Sequence, residues 1–111
     1  MNTEHLRLFT SLVNNLNFSV TAKEHHLSQS AVSQAINSLE NELDFKLFKR
    51  TNRTVTVTKA GHSFYHKIQT ILTALDTAVE EGRTNYQTEI SNLNLAATGT
   101  SFEQSLLPQI F

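Results

Sequence analysis

The stretch LSQSAVSQAINSLE, Leu27 to Glu40, has two contrasting faces when it is drawn as a helix. Apolar residues recur at the i, i+3, i+4, i+7 spacing of a buried helical face, namely Val32, Ala35, Ile36 and Leu39. Hydroxyl and amide side chains repeat that spacing on the opposite face, namely Ser30, Ser33, Gln34 and Asn37. Because solvated helix faces usually carry Lys, Glu and Arg, this uncharged polar face suggests a specific hydrogen-bonding role.

Capping signals divide the first part of the chain into three predicted helices. Ser28 is suited to cap a third helix that begins at Gln29 and whose apolar face continues to Leu43. An amphipathic first helix is predicted from about residue 3 to residue 15, and a short second helix is predicted from an N-cap at Ser19 to about His25. Two helices joined by a turn of about three residues match the helix-turn-helix motif.

The segment KRTNRTVTVT, residues 49–58, changes the apolar period from 3.6 to 2. Val55 and Val57 alternate with threonines, which indicates a strand. Residues 49–58 are therefore predicted to form a small hairpin with TNR at its tip. A hairpin that follows a helix-turn-helix is a wing.

A long fourth helix, from about residue 58 to residue 87 and capped by Thr58, carries a heptad seam. About 30 residues at ~1.5 Å each make a helix of roughly 45 Å, too long to be buried by the 58 residues before it. A second copy of the chain is the predicted partner, because too little chain follows to cover the seam. The residues predicted to form this homodimer contact are Tyr65, Ile68, Leu72, Leu75 and Val79.

The composition changes after Asn85. A short strand from Leu93 to Ala97, a turn containing Gly99 and a helix from Ser101 are predicted, which resemble the first part of an α/β domain cut short. The predicted fold class is mainly α. The chain divides into a winged helix-turn-helix (1–58), a dimerisation helix (59–88) and the truncated start of an α/β domain (89–111).

The basic residues are concentrated in one segment although the net charge is only −1. Residues 45–67 contain no Asp or Glu and hold six basic residues, Lys46, Lys49, Arg50, Arg53, Lys59 and Lys67. A local basic patch is what a polyanion such as DNA meets. No apolar run is long enough to span a bilayer, and the absence of Cys excludes disulfides and thiolate sites. We therefore expect a cytoplasmic protein without membrane contact.

The segment SQSAVSQAINSLENELDFKLFKRTNRTVTVTKAG, residues 28–61, resembles the N-terminal DNA-binding half of LysR-type transcriptional regulators. The shared pattern includes the run from Ser28 to Ser33, Leu39-Glu40, Arg50, Arg53 and the TKAG sequence that begins at Thr58. The resemblance implies a nucleoid-associated, operator-binding dimer joined by antiparallel linker helices. It also implies a second domain that senses a small-molecule effector, whose identity the sequence does not reveal. No cofactor is implied.

The resemblance and the residue chemistry together predict a DNA contact surface. Polar residues on the third helix are expected to meet bases in the major groove, where amides and hydroxyls can match donor and acceptor patterns; these are Gln29, Ser30, Ser33, Gln34 and Asn37. Arg53 is expected at the minor groove or its phosphates, with Lys49, Arg50 and Thr51 on the flanking backbone. Ser19 and Thr21, near the start of the second helix, are candidates for phosphate contacts.

Two other functions are compatible with parts of this pattern. His62 and His66 have a spacing that could hold zinc, but no H-E-x-x-H motif and no third ligand accompany them, so neither a metal site nor an enzyme is expected. A winged helix can also bind protein instead of DNA. The uncharged face beside the acid-free segment favours DNA.

Overall fold

The computed structural model describes residues 1–95. Its elements are α1 (Thr3–Asn15), α2 (Phe18–Glu24), α3 (Gln29–Leu43), β1 (Phe48–Arg50), β2 (Val55–Val57) and α4 (Lys59–Leu95). The two strands pair antiparallel, with Lys49 opposite Thr56. The mainly helical winged helix-turn-helix predicted from the sequence is confirmed, including the bounds of α1 and the start of α3.

Side-chain caps set where the helices begin. The Ser28 hydroxyl accepts a hydrogen bond from the Ala31 amide at 3.1 Å, as predicted. At α2 the predicted cap, Ser19, is wrong, because the Asn17 side chain accepts from the Val20 amide at 3.0 Å. Both residue types cap helices well, and the choice follows from the preceding turn, where Leu16 is left-handed with φ of 52°.

Left-handed residues also end the turns on either side of α3. His26, between α2 and α3, has φ of 58°, and Asp44, after α3, has φ of 63°. The Asp44 amide donates to the Glu40 carbonyl at 2.9 Å and so closes the last turn of α3. A residue with a Cβ is destabilised by about 1–2 kcal/mol in this left-handed conformation. The cost is smaller for Asp, because its carboxylate can form local hydrogen bonds.

A compact unit, residues 1–73, contains the hydrophobic core and is called the head below. Phe9 of α1 lies at its centre and is fully buried. Its ring centroid lies 5.7 Å from that of Phe48, 5.5 Å from that of Phe64 and 6.3 Å from that of Tyr65. These aromatic contacts join α1 to β1 and to the first turns of α4.

The first part of α4 packs on the head, contrary to the expectation that its seam needs a second chain. Ile68 and Leu72 are each 6% exposed and belong to the core, and the Tyr65 hydroxyl donates to Asn14 Oδ1 at 3.0 Å. Leu75 and Val79, later in the seam, are 37% and 43% exposed. Three of the five predicted dimer residues therefore have partners within their own chain.

The helix α4 is longer than predicted. It continues to Leu95, so the strand predicted from Leu93 is wrong over residues 93–95, which are helical. The rest of that strand and the helix from Ser101 lie outside the described residues. Within residues 1–95, no helix is long and apolar enough to cross a bilayer.

Candidate nucleic-acid interface

The polar face of α3 is open to solvent. Gln29, Ser30, Gln34 and Asn37 are exposed, and Ser33 is half-buried. The four apolar residues on the other side of the helix are buried in the core of the head. The two faces predicted from the spacing are thus confirmed, and hydrogen-bonding groups are available along α3.

Two hydroxyls near the start of α3 lie against each other. The oxygens of Ser28 and Ser30 are 3.2 Å apart, while Ser28 also accepts from the Ala31 amide. The Ser28 hydroxyl thus caps α3, and both serines are exposed.

A buried carboxylate connects α3 to the wing. The Glu40 side chain is 3% exposed, and its Oε2 accepts from the amides of Leu47 at 2.7 Å and Phe48 at 3.2 Å. Its Oε1 lies 3.9 Å from Lys46 Nζ and 4.0 Å from Arg50 Nη2. Glu40 therefore fixes the start of β1 against the last turns of α3, because buried charges need such partners.

Arg50, predicted to lie on the DNA backbone, also has contacts within the chain. Its Nη1 donates to Ser33 Oγ at 3.3 Å, and its guanidinium carbon lies 4.9 Å from the centre of the Phe18 ring. A guanidinium over an aromatic face is a favourable cation–π contact. An open depression of about 310 Å³ lies here, lined by Phe18, Gln29, Ser30, Ser33 and Arg50.

The wing exposes its basic residues. Lys49 and Arg53 are exposed, on β1 and at the tip of the turn respectively. Thr51 closes the turn, because its amide donates to the Thr54 carbonyl at 2.9 Å and its hydroxyl accepts from the Thr54 amide at 3.2 Å. This structural role of Thr51 was not predicted from the sequence.

The two candidates on α2 have opposite environments. Ser19 is exposed in the first turn. Thr21 is fully buried: its hydroxyl donates to Asn15 Oδ1 at 3.0 Å, and its amide donates to the Asn17 carbonyl at 3.0 Å. The predicted phosphate contact of Thr21 is therefore wrong, since both of its donors are used inside the head.

The contact of Phe18 with Arg50 and the structural role of Glu40 were not predicted from the sequence. Phe18 interrupts a polar run between Asn17 and Ser19, which is the signal that could have marked it. Glu40 is the acid that ends an otherwise uncharged polar face. His62 and His66 are exposed on α4, and residues 1–95 contain no group of three or more His, Cys, Asp or Glu that could hold a metal ion.

Residues 3–62 match the family model described as "Bacterial regulatory helix-turn-helix protein, lysR family". The uncharacterized HTH-type transcriptional regulator YnfL of Escherichia coli (strain K12) is 34% identical over 103 residues, which cover 91% of this chain and 35% of YnfL. The HTH-type transcriptional regulator BudR of Klebsiella aerogenes is 33% identical over 111 residues, which cover 100% of this chain and 76% of BudR. These relatives are named as regulators and not as enzymes, in line with the sequence analysis.

Solved structures show the same architecture. The BenM DNA-binding domain, in its complex with catB site 1 DNA, is 31% identical with a TM-score of 0.75, covering 79% of this chain and 95% of that chain. The chain spans about a third (35%) of the length of YnfL. The family match, the relatives and the winged helix-turn-helix together show that this chain belongs to the lysR family of bacterial regulatory helix-turn-helix proteins.

Proposed function

We propose that this chain binds a pseudo-palindromic DNA operator as a homodimer and regulates transcription. The observation that carries the proposal is the exposed, uncharged hydrogen-bonding face of α3 beside a wing with exposed basic residues. Amides and hydroxyls gain little from a base unless its donor and acceptor pattern matches, so they favour discrimination over general affinity. The similar BenM domain, solved with DNA, supports this use of the fold.

The contacts divide between sequence recognition and affinity. Base contacts are assigned to the polar face of α3, with Gln34 as the main amide. Phosphate or minor-groove contacts are assigned to Lys49 and Arg53 of the wing, with Ser19 at α2 as a further hydroxyl. Phosphate contacts supply most of the affinity of such complexes and little of their specificity.

Dimerisation is assigned to the exposed part of the α4 seam, Leu75 and Val79. A two-fold dimer carries two copies of α3, which read half-sites one helical turn, or a multiple of it, apart. A single protomer has half of the base contacts and half of the basic patch, so it should bind weakly and with little selectivity. The expected location is the cytoplasm, in association with the nucleoid.

We expect Arg53→Ala to weaken binding to all DNA, whereas Gln34→Ala chiefly reduces discrimination. A duplex selected from a random library would be compared with a scrambled duplex at fixed salt, using fluorescence anisotropy. Removing a good base contact should cost about 1–3 kcal/mol of discrimination. Removing a phosphate contact should also make the affinity less dependent on salt, by the equivalent of about one released counterion.

Arg83→Ala is the matched control, because it removes one positive charge outside the acid-free segment. Arg83→Ala should leave the affinities for both duplexes within about twofold of those of the parent protein, as expected for a surface substitution away from the interface. Equal losses on both duplexes for Gln34→Ala would contradict its role as a base contact. If the parent protein bound no duplex at low salt, a protein-binding winged helix would be the better interpretation.

A further inference from the structure

Arg50 differs from the other basic residues of the wing in how far its side chain is committed. Its guanidinium contacts Ser33 of α3, the carboxylate of Glu40 and the ring of Phe18, and its side chain is 31% exposed. By contrast, Arg53 forms no hydrogen bond or ion pair within residues 1–95. Because contacts on three sides fix the Arg50 side chain, it is poorly placed to reorient and bind a DNA phosphate.

The orientation of Arg50 is set by groups that cannot easily move. Glu40 is buried, and the backbone amides of Leu47 and Phe48 donate to its other oxygen. Phe18 occupies the first position of α2, directly after the cap. The guanidinium is planar and presents donors in a fixed fork, so contacts at Glu40 and Phe18 leave Nη1 directed at Ser33.

This contact polarises the Ser33 hydroxyl. A serine hydroxyl has one donor hydrogen and two acceptor lone pairs, and the N–H of Arg50 occupies one of the lone pairs. The adjacent positive charge also disfavours the approach of any further donor. The hydrogen of Ser33 is thereby left as the group available to a ligand in the open depression.

We propose that Arg50 is a positioning residue that makes Ser33 a hydrogen-bond donor, so that Ser33 selects a base with an acceptor on its major-groove edge. Guanine, adenine and thymine each present such an acceptor, whereas cytosine presents its amino donor there. The chain should therefore reject cytosine at the base that Ser33 faces. This inference rests on the proposed function and assigns Arg50 a role different from a backbone contact.

The test is a panel of duplexes in which each base pair of the selected half-site is replaced by the other three. Ser33→Ala and Arg50→Gln should lose discrimination against cytosine at the same position, each by about tenfold, the range of a good base contact. The double variant should lose no more than either single variant, because the two residues act as one unit. Arg53→Gln, the matched control, should weaken binding to the whole panel by a similar factor.

A second variant covers the case in which Arg50→Gln leaves Glu40 unpaired and the head does not fold. Glu40→Gln combined with Arg50→Gln removes both charges and keeps an oxygen for the amides of Leu47 and Phe48. Thermal melts followed by circular dichroism would show which of the two Arg50 variants folds. A variant that folds is then tested against the duplex panel.

An equal loss across the panel with a smaller salt dependence would identify Arg50 as a phosphate ligand and overturn the inference. Unchanged discrimination in a folded Arg50 variant would also overturn it. If the parent protein bound all duplexes equally, or none at all, the proposed function itself would be wrong. A parent that discriminates between duplexes together with an Arg50 variant that discriminates equally well would contradict only the role of Arg50.

Discussion

The seam of α4 has one heptad pattern and two environments. Ile68 and Leu72 are 6% exposed and form part of the core of the head, whereas Leu75 and Val79 are 37% and 43% exposed. The spacing between these residues follows the same alternation of three and four. A heptad period therefore indicates that one helix face is to be buried, but it does not identify what buries it.

The largest expected effect comes from Leu72→Asp, which should unfold the head. An unpaired buried carboxylate costs several kcal/mol, comparable to the whole stability of a small domain, about 5–15 kcal/mol. Urea unfolding followed by circular dichroism would measure the loss. Ile71→Asp is the control, because Ile71 is 56% exposed and the change should stay within about 0.5 kcal/mol. Equal losses for both variants would contradict the burial of Leu72.

The next effect concerns the exposed part of the seam. Leu75→Asp combined with Val79→Asp should give a monomer with a folded head, because each apolar side chain buried on association contributes roughly 1.5–3 kcal/mol. The dissociation constant should rise by at least about 100-fold. Sedimentation would report the change from a dimer towards the 12.5 kDa chain.

Thr77→Asp combined with Thr84→Asp supplies the control for that experiment. Both residues are exposed and stand away from the heptad positions, so the same added charge should leave the dimer intact. A dimer that survived Leu75→Asp with Val79→Asp would place the interface elsewhere on the molecule.

The smallest effects are expected at two glycines of α4, Gly61 and Gly82, with opposite signs. A Cβ on Gly61 would lie 2.3 Å from the Leu47 carbonyl oxygen and 2.9 Å from Val57 Cγ1, so Gly61→Ala should destabilise the head by about 1–3 kcal/mol. A Cβ on Gly82 meets nothing within 4 Å, so Gly82→Ala should stabilise the helix by up to about 1 kcal/mol.

Thermal unfolding of both variants would test the glycine prediction. The close neighbours of Gly61 belong to its own chain. A loss of stability in Gly82→Ala would contradict the open surroundings of that position.

Local sequence signals predicted the structure correctly at positions where only one residue could fill the local role. Ser28 caps α3 as predicted because a hydroxyl before an apolar-periodic run satisfies an orphan amide. The signal failed at α2, where Asn17 and Ser19 are both able to cap and the turn at Leu16 made the choice. It failed again at Thr21, since a hydroxyl next to a helix start looks the same whether it faces solvent or Asn15.

The candidate interface was predictable to the extent that it is periodic. The polar residues of α3 share a face because helical spacing alone places them there, and the basic residues of the wing share a segment of sequence. The contacts of Arg50 join residues 17 and 32 positions away along the chain, Ser33 and Phe18. No local pattern encodes such pairs.

The sequence by itself determined the helices, the wing and the two faces of α3, because each depends on the spacing of apolar residues and on local hydrogen bonds. Only the tertiary structure decided that the head covers Ile68 and Leu72 of the α4 seam, that Glu40 is buried, and that Arg50 turns back onto Ser33. These features depend on close packing between segments distant in sequence. A side chain's partner there is set by the shape of the core and by the cost of leaving a buried charge unpaired.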